Sequence, residues 1–418
     1  MINILREYNF WDGQKIETGF FRKSYLKNIS SYLNNKLVKV LLGQRRTGKS
    51  YIFRMLIKEL IEKHKVSPKN ILYINKDIRA LDFIDSASKL DEIIRLYIKE
   101  LAPKGKIYIF LDEVQEIIGW EKSVNSMSQD YTRKFEIFIT GSNANLLSSE
   151  LSTYLSGRYM TINIYSFSYT EFLGFFKLKR NKESYIKYLN TGGIPELYNL
   201  SNKELKINYI SALKDSIILR DIIQRHNIRD VTLLNRLIDF VIDTQASLFS
   251  PNKIVKTLKS LGVKTNIETI STYLNYLTET FFIYEAFRFD LKGKRILAGE
   301  RKYYLNDLSF KYYLSSSFDR GISHFLENAV YLHYKRNGYN VFIGKLKDKE
   351  IDFIVEKNNV KKYVQVAYML TDENVIKREF GNLLAIKDNY EKLVVTLDDL
   401  NIGIIDGVKH INAWSLYD

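Results

Sequence analysis

The sequence predicts an α/β protein whose first large domain is a mainly parallel, helix-covered sheet. Three observations carry that expectation. A strand, a glycine loop and a helix follow one another between Leu37 and Leu60. Apolar strands then alternate with helical stretches as far as residue 165. A second α/β pattern returns after residue 320. Strands separated by helices imply parallel pairing with crossovers over the faces.

Taken in order, residues 1–36 read as a lead-in with one helix near Arg22 to Leu33. The strands of the first domain are expected at Val38–Leu42, Ile71–Ile74, Ile107–Leu111, Phe135–Thr140 and Thr161–Ile164. Residues 166–290 read as mostly helical. Later strands are expected at Asn340–Ile343, Ile351–Val355, Tyr363–Ala367 and Leu393–Thr396. The expected domains are therefore 1–36, a core at 37–165, a helical lid at 166–200, a helix-turn-helix region at 201–305, and a C-terminal α/β domain at 306–418.

The glycine loop is Gly43-Gln44-Arg45-Arg46-Thr47-Gly48-Lys49-Ser50, which fits G-x-x-x-x-G-K-[ST] at every fixed position. Preceded by an apolar strand and followed from Tyr51 by helical periodicity, it is the context of a phosphate cradle. The glycines let backbone N–H groups wrap a phosphate, and the helix N-terminus adds partial positive charge. In that reading Gly43 to Tyr51 form the nucleotide contact, Lys49 reaches the β/γ-phosphates, and the Ser50 hydroxyl ligates Mg²⁺.

A matching second half follows. Lys106-Ile107-Tyr108-Ile109-Phe110-Leu111-Asp112-Glu113 is an apolar strand ending in two carboxylates, the Walker B pattern. Asp112 would hold Mg²⁺ and Glu113 would polarise the attacking water, because phosphoryl transfer depends on charge neutralisation and in-line positioning. The strand Phe135–Thr140 runs into Gly141-Ser142-Asn143, so Thr140, Ser142 and Asn143 are candidates to contact the γ-phosphate or orient the water. A plain Ser/Asn turn is the alternative. Arg158, in Leu155-Ser156-Gly157-Arg158-Tyr159, is a candidate for the γ-phosphate in cis or for an arginine finger in a neighbouring subunit.

Composition bounds the rest. A chain of 418 residues exceeds one ordinary core, and 4 prolines with no flexible linker argue for domains packed together. The absence of cysteine excludes disulfides, thiolate metal sites and cysteine nucleophiles, and suits a reducing cytoplasm. The start of the chain lacks a signal-peptide pattern, and no apolar run is long enough to span a membrane. The net charge of +15 is uneven: residues 1–50 carry ten Lys/Arg against three Asp/Glu, and residues 291–365 fifteen against eight. Residues 201–290 carry twelve against ten. Either DNA or a solvated basic face fits the two surpluses.

The loop, Leu111-Asp112-Glu113-Val114-Gln115, Thr140-Gly141-Ser142-Asn143, Leu155-Ser156-Gly157-Arg158-Tyr159 and Gly192-Gly193-Ile194-Pro195-Glu196 occur in that order. Together they resemble the prokaryotic AAA+-superfamily ATPases that join a P-loop domain to a winged helix and a restriction-endonuclease-like domain. The resemblance covers nearly the whole chain. It implies an AAA+-like ATPase with ATP and Mg²⁺ as ligands and strengthens Arg158 as a sensor or finger.

Two segments beyond the core fit that resemblance. Ser250-Pro251-Asn252 opens a helix to Leu261-Gly262, a second helix runs from Ile267 to Thr280, and apolar Phe281–Tyr284 follows. This suggests a winged helix, with Lys264, Thr265, Asn266 and Thr269 facing DNA, although its near-neutral charge favours a packing or oligomerisation role. Further on, Glu327 on a helix, Asp352 on a strand and Gln365-Val366-Ala367 on the next resemble the PD-(D/E)XK nuclease framework. There Gln365 stands at an acidic position and Ala367 at the lysine position. An amide is a weaker Mg²⁺ ligand and alanine supplies no ammonium, so a degenerate, non-cleaving site is expected unless Lys361 or Lys362 migrates into the role.

The leading expectation is an ATP hydrolase coupling nucleotide state to movement of its winged-helix and nuclease-like domains, on DNA or in a homo-oligomer. The alternatives are a DNA-binding regulatory, defence or mobile-element protein with ATP as a switch, and an active Mg²⁺-dependent nuclease. No membrane and no small-molecule substrate besides ATP are expected.

Overall fold

The computed structural model describes residues 1–147, 155–315, 321–399 and 402–417, and the chain divides into two compact units, Met1–Ile164 and Tyr165–Asp418. In the first, β1 (Val38–Leu42), β2 (Ile71–Asn75), β3 (Lys106–Asp112), β4 (Lys134–Gly141) and β5 (Tyr159–Asn163) form a sheet in the order β2-β3-β4-β1-β5. All its pairings are parallel. Each strand is where the apolar runs put it, with ends shifted by a residue or two.

This order positions the site. β4 lies between β1 and β3, so residues at the tip of β4 stand between the loop after β1 and the carboxylates ending β3. The α-helices described in this unit are α1 (Ile2–Tyr8), α2 (Lys23–Ser30), α3 (Lys49–Glu62), α4 (Ala87–Leu101) and α5 (Trp120–Gln129). The apolar face of α3, through Ile52, Phe53 and Leu56, packs with Leu41, Phe110 and Phe138, whose rings stack at 4.5 Å. Burying one such side chain contributes ~1.5–3 kcal/mol, so α3 is fixed to the sheet and the loop before it is held at both ends.

The lead-in covers the edge of the sheet. The Asn9 side-chain amide donates to the Tyr73 carbonyl at 3.0 Å and accepts from the Tyr73 N–H at 2.7 Å. The Trp11 indole donates to the Ile71 carbonyl at 2.7 Å. These bonds satisfy β2, an edge strand whose free backbone groups would otherwise invite another chain.

The second unit is built on β6 (Leu248–Phe249), β7 (Ile283–Asp290), β8 (Arg295–Leu305), β9 (Asn340–Leu346), β10 (Lys349–Lys357), β11 (Val360–Ala367), β12 (Glu391–Thr396), β13 (Ile404–Ile405) and β14 (Val408–Asn412). They form one nine-stranded sheet, β13-β14-β12-β11-β10-β9-β7-β8-β6. The helices Pro251–Ser260 and Ile267–Glu279 precede the antiparallel hairpin β7–β8. That hairpin joins the C-terminal strands, because β7 pairs in parallel with β9 from Arg288 to Asp290. The expected separation at 305/306 therefore falls inside a continuous sheet. Apolar residues of Val231–Asp243, Pro251–Ser260 and Ile267–Glu279 share one core, and Ile322–Arg336 packs on the sheet in another.

The Gly192-Gly193 pair is a packing joint. A Cβ at Gly192, whose φ is +79°, would lie 2.3 Å from an Asp307 carboxylate oxygen, and one at Gly193 would lie 2.2 Å from the Phe167 carbonyl oxygen. Asp307 accepts the Gly193 N–H at 2.8 Å and the Ser309 N–H at 2.9 Å. Among the described residues no helix is long and apolar enough to cross a membrane.

Candidate functional site

The glycine loop has the backbone its spacing demands. A Cβ at Gly43 would sit 2.1 Å from the Ile164 carbonyl oxygen, so no other residue fits without displacing backbone. Gly48 takes φ +95° at the N-cap of α3, and Arg46 also adopts a positive φ of 66°. Gln44 and Thr47 are buried in the loop, where the Thr47 hydroxyl donates to the Gln44 carbonyl at 2.9 Å. A buried arginine from the lead-in, Arg22, donates to the Thr47 carbonyl at 2.9 Å and clamps the loop from outside.

Lys49 is buried and turned back on the loop. Its ammonium donates to the Gly43 carbonyl at 2.9 Å and the Gln44 carbonyl at 3.2 Å, and lies 3.2 Å from Glu113 Oε1. Tyr51 is different from its neighbours: its exposed ring lies beneath the Arg54 guanidinium at 4.1 Å and against Gly19.

Asp112 and Glu113 are both buried at the end of β3. The Thr140 hydroxyl donates to Asp112 Oδ1 at 2.6 Å and accepts the Glu113 N–H at 2.9 Å. The Tyr73 hydroxyl donates to Asp112 Oδ2 at 2.8 Å, and the Ser50 hydroxyl also bonds this carboxylate. Burial pushes the Asp112 carboxyl above its usual range, aided by the charge of Glu113 and opposed by the Thr140, Ser50 and Tyr73 hydrogen bonds. Burial acts on Glu113 in the same sense. There Lys49, Arg45 and the Gln115 hydrogen bond outweigh it, and the carboxyl is held below its usual range. Two adjacent carboxylates are thus driven apart in acidity, the pattern by which one site divides acid and base roles.

Glu113 also has a left-handed backbone, φ 55°, which costs a non-glycine residue ~1 kcal/mol or more and is retained where surrounding bonds determine it. Its carboxylate accepts from Gln115 Nε2 at 2.6 Å, and the same amide reaches Ser142 Oγ at 3.4 Å. Ser142 and Asn143 are buried at the tip of β4. The structure thus brings Gly43–Ser50, Asp112, Glu113, Thr140, Ser142 and Asn143 together. Thr140 differs from expectation: its hydroxyl is committed to Asp112 and Glu113 and positions them.

Arg158 is not in this group. It precedes β5, and its carbonyl accepts the Val38 N–H at the start of β1. The loop lies at the other end of β1, five residues on, roughly 16 Å away at the rise of a strand. Its guanidinium is exposed and bonds Asn125 at 3.2 Å. Because β5 runs parallel to β1, a residue before it belongs to the opposite rim, and the expectation of a cis contact to the γ-phosphate does not hold. Tyr73 and Gln115 are the residues that sequence reasoning missed. Gln115 stands in the Leu111–Gln115 motif, and Tyr73 lies on the strand adjoining β3, but neither carried a spacing that assigned it a role.

In the second unit, Glu327 lies on Ile322–Arg336, Asp352 on β10 and Gln365 on β11. The alternative in which Lys361 or Lys362 migrates into the lysine position is not met. Lys362 pairs with Glu391 at 2.7 Å, and the Lys361 ammonium stands over the Phe289 ring. Lys302 of β8 is the cation beside Glu327 and Asp352, at 2.9 and 4.0 Å. Of the candidate DNA-facing residues, Asn266 caps Ile267–Glu279 by accepting the Thr269 N–H, and Lys264 is exposed.

A parallel sheet with a phosphate loop after its first strand and a carboxylate pair on the next-but-one strand is the arrangement of a P-loop nucleotide-binding domain. Residues 35–173 match the AAA domain family, and residues 182–320 match a domain of unknown function, DUF8612. The chain belongs to one family with an uncharacterized protein of Haemophilus influenzae, 36% identical over 405 residues that cover 94% of this chain and 98% of that one. An uncharacterized protein of Methanocaldococcus jannaschii is 33% identical, over 88% of this chain and 81% of its own. Among solved structures the chain is similar to a Walker-type ATPase of Pyrococcus abyssi, with 15% identity, a TM-score of 0.44, and coverage of 72% of this chain and 98% of that one. It is also similar to the replication initiator DnaA bound to AMPPCP and single-stranded DNA, at 14% identity and a TM-score of 0.31, over 63% of this chain and 90% of that one. The match at residues 35–173 gives the chain an AAA-type P-loop domain.

Proposed function

We propose that this protein hydrolyses ATP with Mg²⁺, using Glu113 as the group that orients and deprotonates the attacking water. The observation that carries this reading is the contact of Lys49 with Glu113 at 3.2 Å beside a loop in which only glycine fits at position 43. The donor set suits the metal: the Ser50 hydroxyl and the Asp112 carboxylate are neighbouring hard oxygen ligands of the kind Mg²⁺ takes. Bound there, the ion would neutralise charge on the β- and γ-phosphates.

The residues of the chain do the rest. The backbone of Gly43–Ser50 cradles the phosphates. A triphosphate competes with the loop carbonyls and with Glu113 for the Lys49 ammonium. As Lys49 moves to the phosphates, Glu113 loses its largest source of acidity and becomes the stronger base. Gln115 keeps that carboxylate oriented, and Ser142 and Asn143 at the tip of β4 read the γ-phosphate.

The test is turnover and nucleotide binding in Glu113→Gln. Binding of ATP is expected to persist while hydrolysis falls at least about 100-fold, the lower end of the range for losing a general base. Hydrolysis at the wild-type rate would remove Glu113 from that role.

A second reading, DNA binding with ATP as a state switch, draws on the basic surplus at 291–365, fifteen Lys/Arg against eight Asp/Glu. The second unit would then act as a winged-helix and nuclease-like platform that holds nucleic acid without cutting it, alone or in an oligomer where Arg158 serves a neighbouring copy. Turnover measured with single- and double-stranded DNA separates the readings. A salt-dependent gel shift with unchanged ATPase rate favours the switch, and no shift at low salt dismisses DNA.

A further inference from the structure

The second unit contains a buried cluster that the ATPase reading does not use. Lys302 extends from β8 into a group of acids drawn from two other elements. Its ammonium lies 2.9 Å from Glu327 Oε1, 2.9 Å from Glu350 Oε1 and 4.0 Å from Asp352 Oδ1. The Lys302 side chain is 6% exposed, that of Glu327 10% and that of Asp352 12%.

Two of the three acids have further support. Glu327 Oε1 accepts the Tyr304 hydroxyl at 2.7 Å, and Asp352 Oδ2 accepts the Val366 N–H at 2.8 Å. Burial works against the charge on Lys302, but Glu327, Asp352 and Glu350 outweigh it and hold its pKa above the ordinary lysine range. Burial and the charge of Glu327 push the Asp352 carboxyl well above its own range.

Gln365 makes the arrangement specific. The register that pairs Phe353 with Val364 sets Gln365 across from Asp352, so the two project from one face of the sheet. Gln365 is 7% exposed, and its amide oxygen has no hydrogen-bond partner. A buried amide oxygen left bare is costly, and it is also a ready ligand for a hard cation. Three carboxylates stand around one positive charge, and the bare amide oxygen of Gln365 lies on the face of the sheet that carries Asp352. Here the charge is the chain's own.

We propose that the Lys302 ammonium is a tethered substitute for a divalent cation, and that the cage of Glu327, Glu350, Asp352 and Gln365 takes up a divalent cation only when that ammonium is removed. The proposal concerns the second unit alone and does not depend on the fate of the ATPase reading. It also accounts for the Gln365 and Ala367 positions without invoking lost function: a resident cation makes both a third strong carboxylate and a motif lysine redundant.

The test uses the full-length, nucleotide-free chain, so that the phosphate loop contributes no metal–triphosphate complex. Mn²⁺ is titrated by electron paramagnetic resonance and Tb³⁺ by tyrosine-sensitised luminescence, with Tyr304 close enough to Glu327 to act as the donor. Wild type is expected to show no saturable site at this cage. Lys302→Ala is expected to gain one, with a luminescence signal that Tyr304→Phe reduces and that Asp352→Asn abolishes. Thermal melts close the remaining gap. Lys302→Ala should melt well below wild type in EDTA and recover most of the loss in Mn²⁺. Three results overturn the proposal: a wild-type Mn²⁺ site lost in Asp352→Asn, a Lys302→Ala chain that takes up no ion, or one that Mn²⁺ fails to restabilise.

Discussion

Replacing Thr140 by valine removes one hydroxyl and strands two buried groups at once. Thr140 Oγ1 gives Asp112 Oδ1 its hydrogen bond at 2.6 Å and takes the Glu113 N–H at 2.9 Å, and all three residues are buried. Each orphaned buried group costs ~1–3 kcal/mol, and valine regains part of this through its methyl group, so the net loss is about 3 kcal/mol. For a unit of this size 1 kcal/mol corresponds to roughly 2–4 °C, which places the melting temperature of the first unit roughly 6–12 °C lower. A second consequence is chemical. The Thr140 bond lowers the Asp112 pKa, so its loss raises a carboxyl that burial has already raised. Mg²⁺-dependent ATP binding by Thr140→Val should therefore weaken more steeply than wild type as the pH falls. Thr140→Ser, which keeps the hydroxyl, should restore both properties. Thermal melting by circular dichroism and ATP titrations at fixed Mg²⁺ across pH give the readouts. A valine variant that melts within 2 °C of wild type and binds MgATP with the same pH dependence would refute the assignment of Thr140 as the residue that sets the carboxylate pair.

Three further outcomes are expected. Burial, with Arg336 and Lys362, lowers the His333 pKa to about 4, below the unfolded value near 6.5, so its contribution to stability is present above pH 6.5 and lost as the pH falls towards 4. In urea denaturation, the stability of wild type relative to His333→Phe should fall by up to about 3 kcal/mol over that window, and a pH-independent difference would be inconsistent with a buried neutral imidazole. Gly192→Ala forces a Cβ to within 2.3 Å of Asp307 at φ +79°, and should cost at least about 1–3 kcal/mol through backbone strain alone; unchanged stability would mean that the joint yields freely. Gln115→Leu removes the 2.6 Å donor to Glu113, so the acid limb of the pH–rate profile should move to higher pH. An unmoved limb would exclude Gln115 from tuning that carboxylate.

What the sequence discloses about this molecule depends on whether a constraint is local. Gly43 and Gly48 are legible because the loop's own backbone forbids other residues, so the chemistry is written in adjacent positions. The strands β1–β4 are legible because each is a run of side chains buried on both faces of a parallel sheet. Arg158 misleads because order along the chain says only that it follows β4, and the direction of β5 then carries it to the far rim. Asn9 is invisible for the opposite reason: nothing near it hints that its amide completes the edge of a strand 64 residues away. The hairpin β7–β8 shows the same limit: its local pattern fits a wing, and nothing in it announces the parallel pairing of β7 with β9. Lys302 extends the argument to chemistry. A motif search looks for a lysine two residues beyond Gln365 and finds Ala367, whereas the ammonium arrives from β8, on the far side of the helix that carries Glu327 in the sequence. An absent motif residue therefore marks a vacancy in the pattern and not in the site. The electrostatic demand of buried Glu327 and Asp352 must be met by some cation, and the fold meets it with Lys302, the one buried lysine whose ammonium reaches both among the described residues.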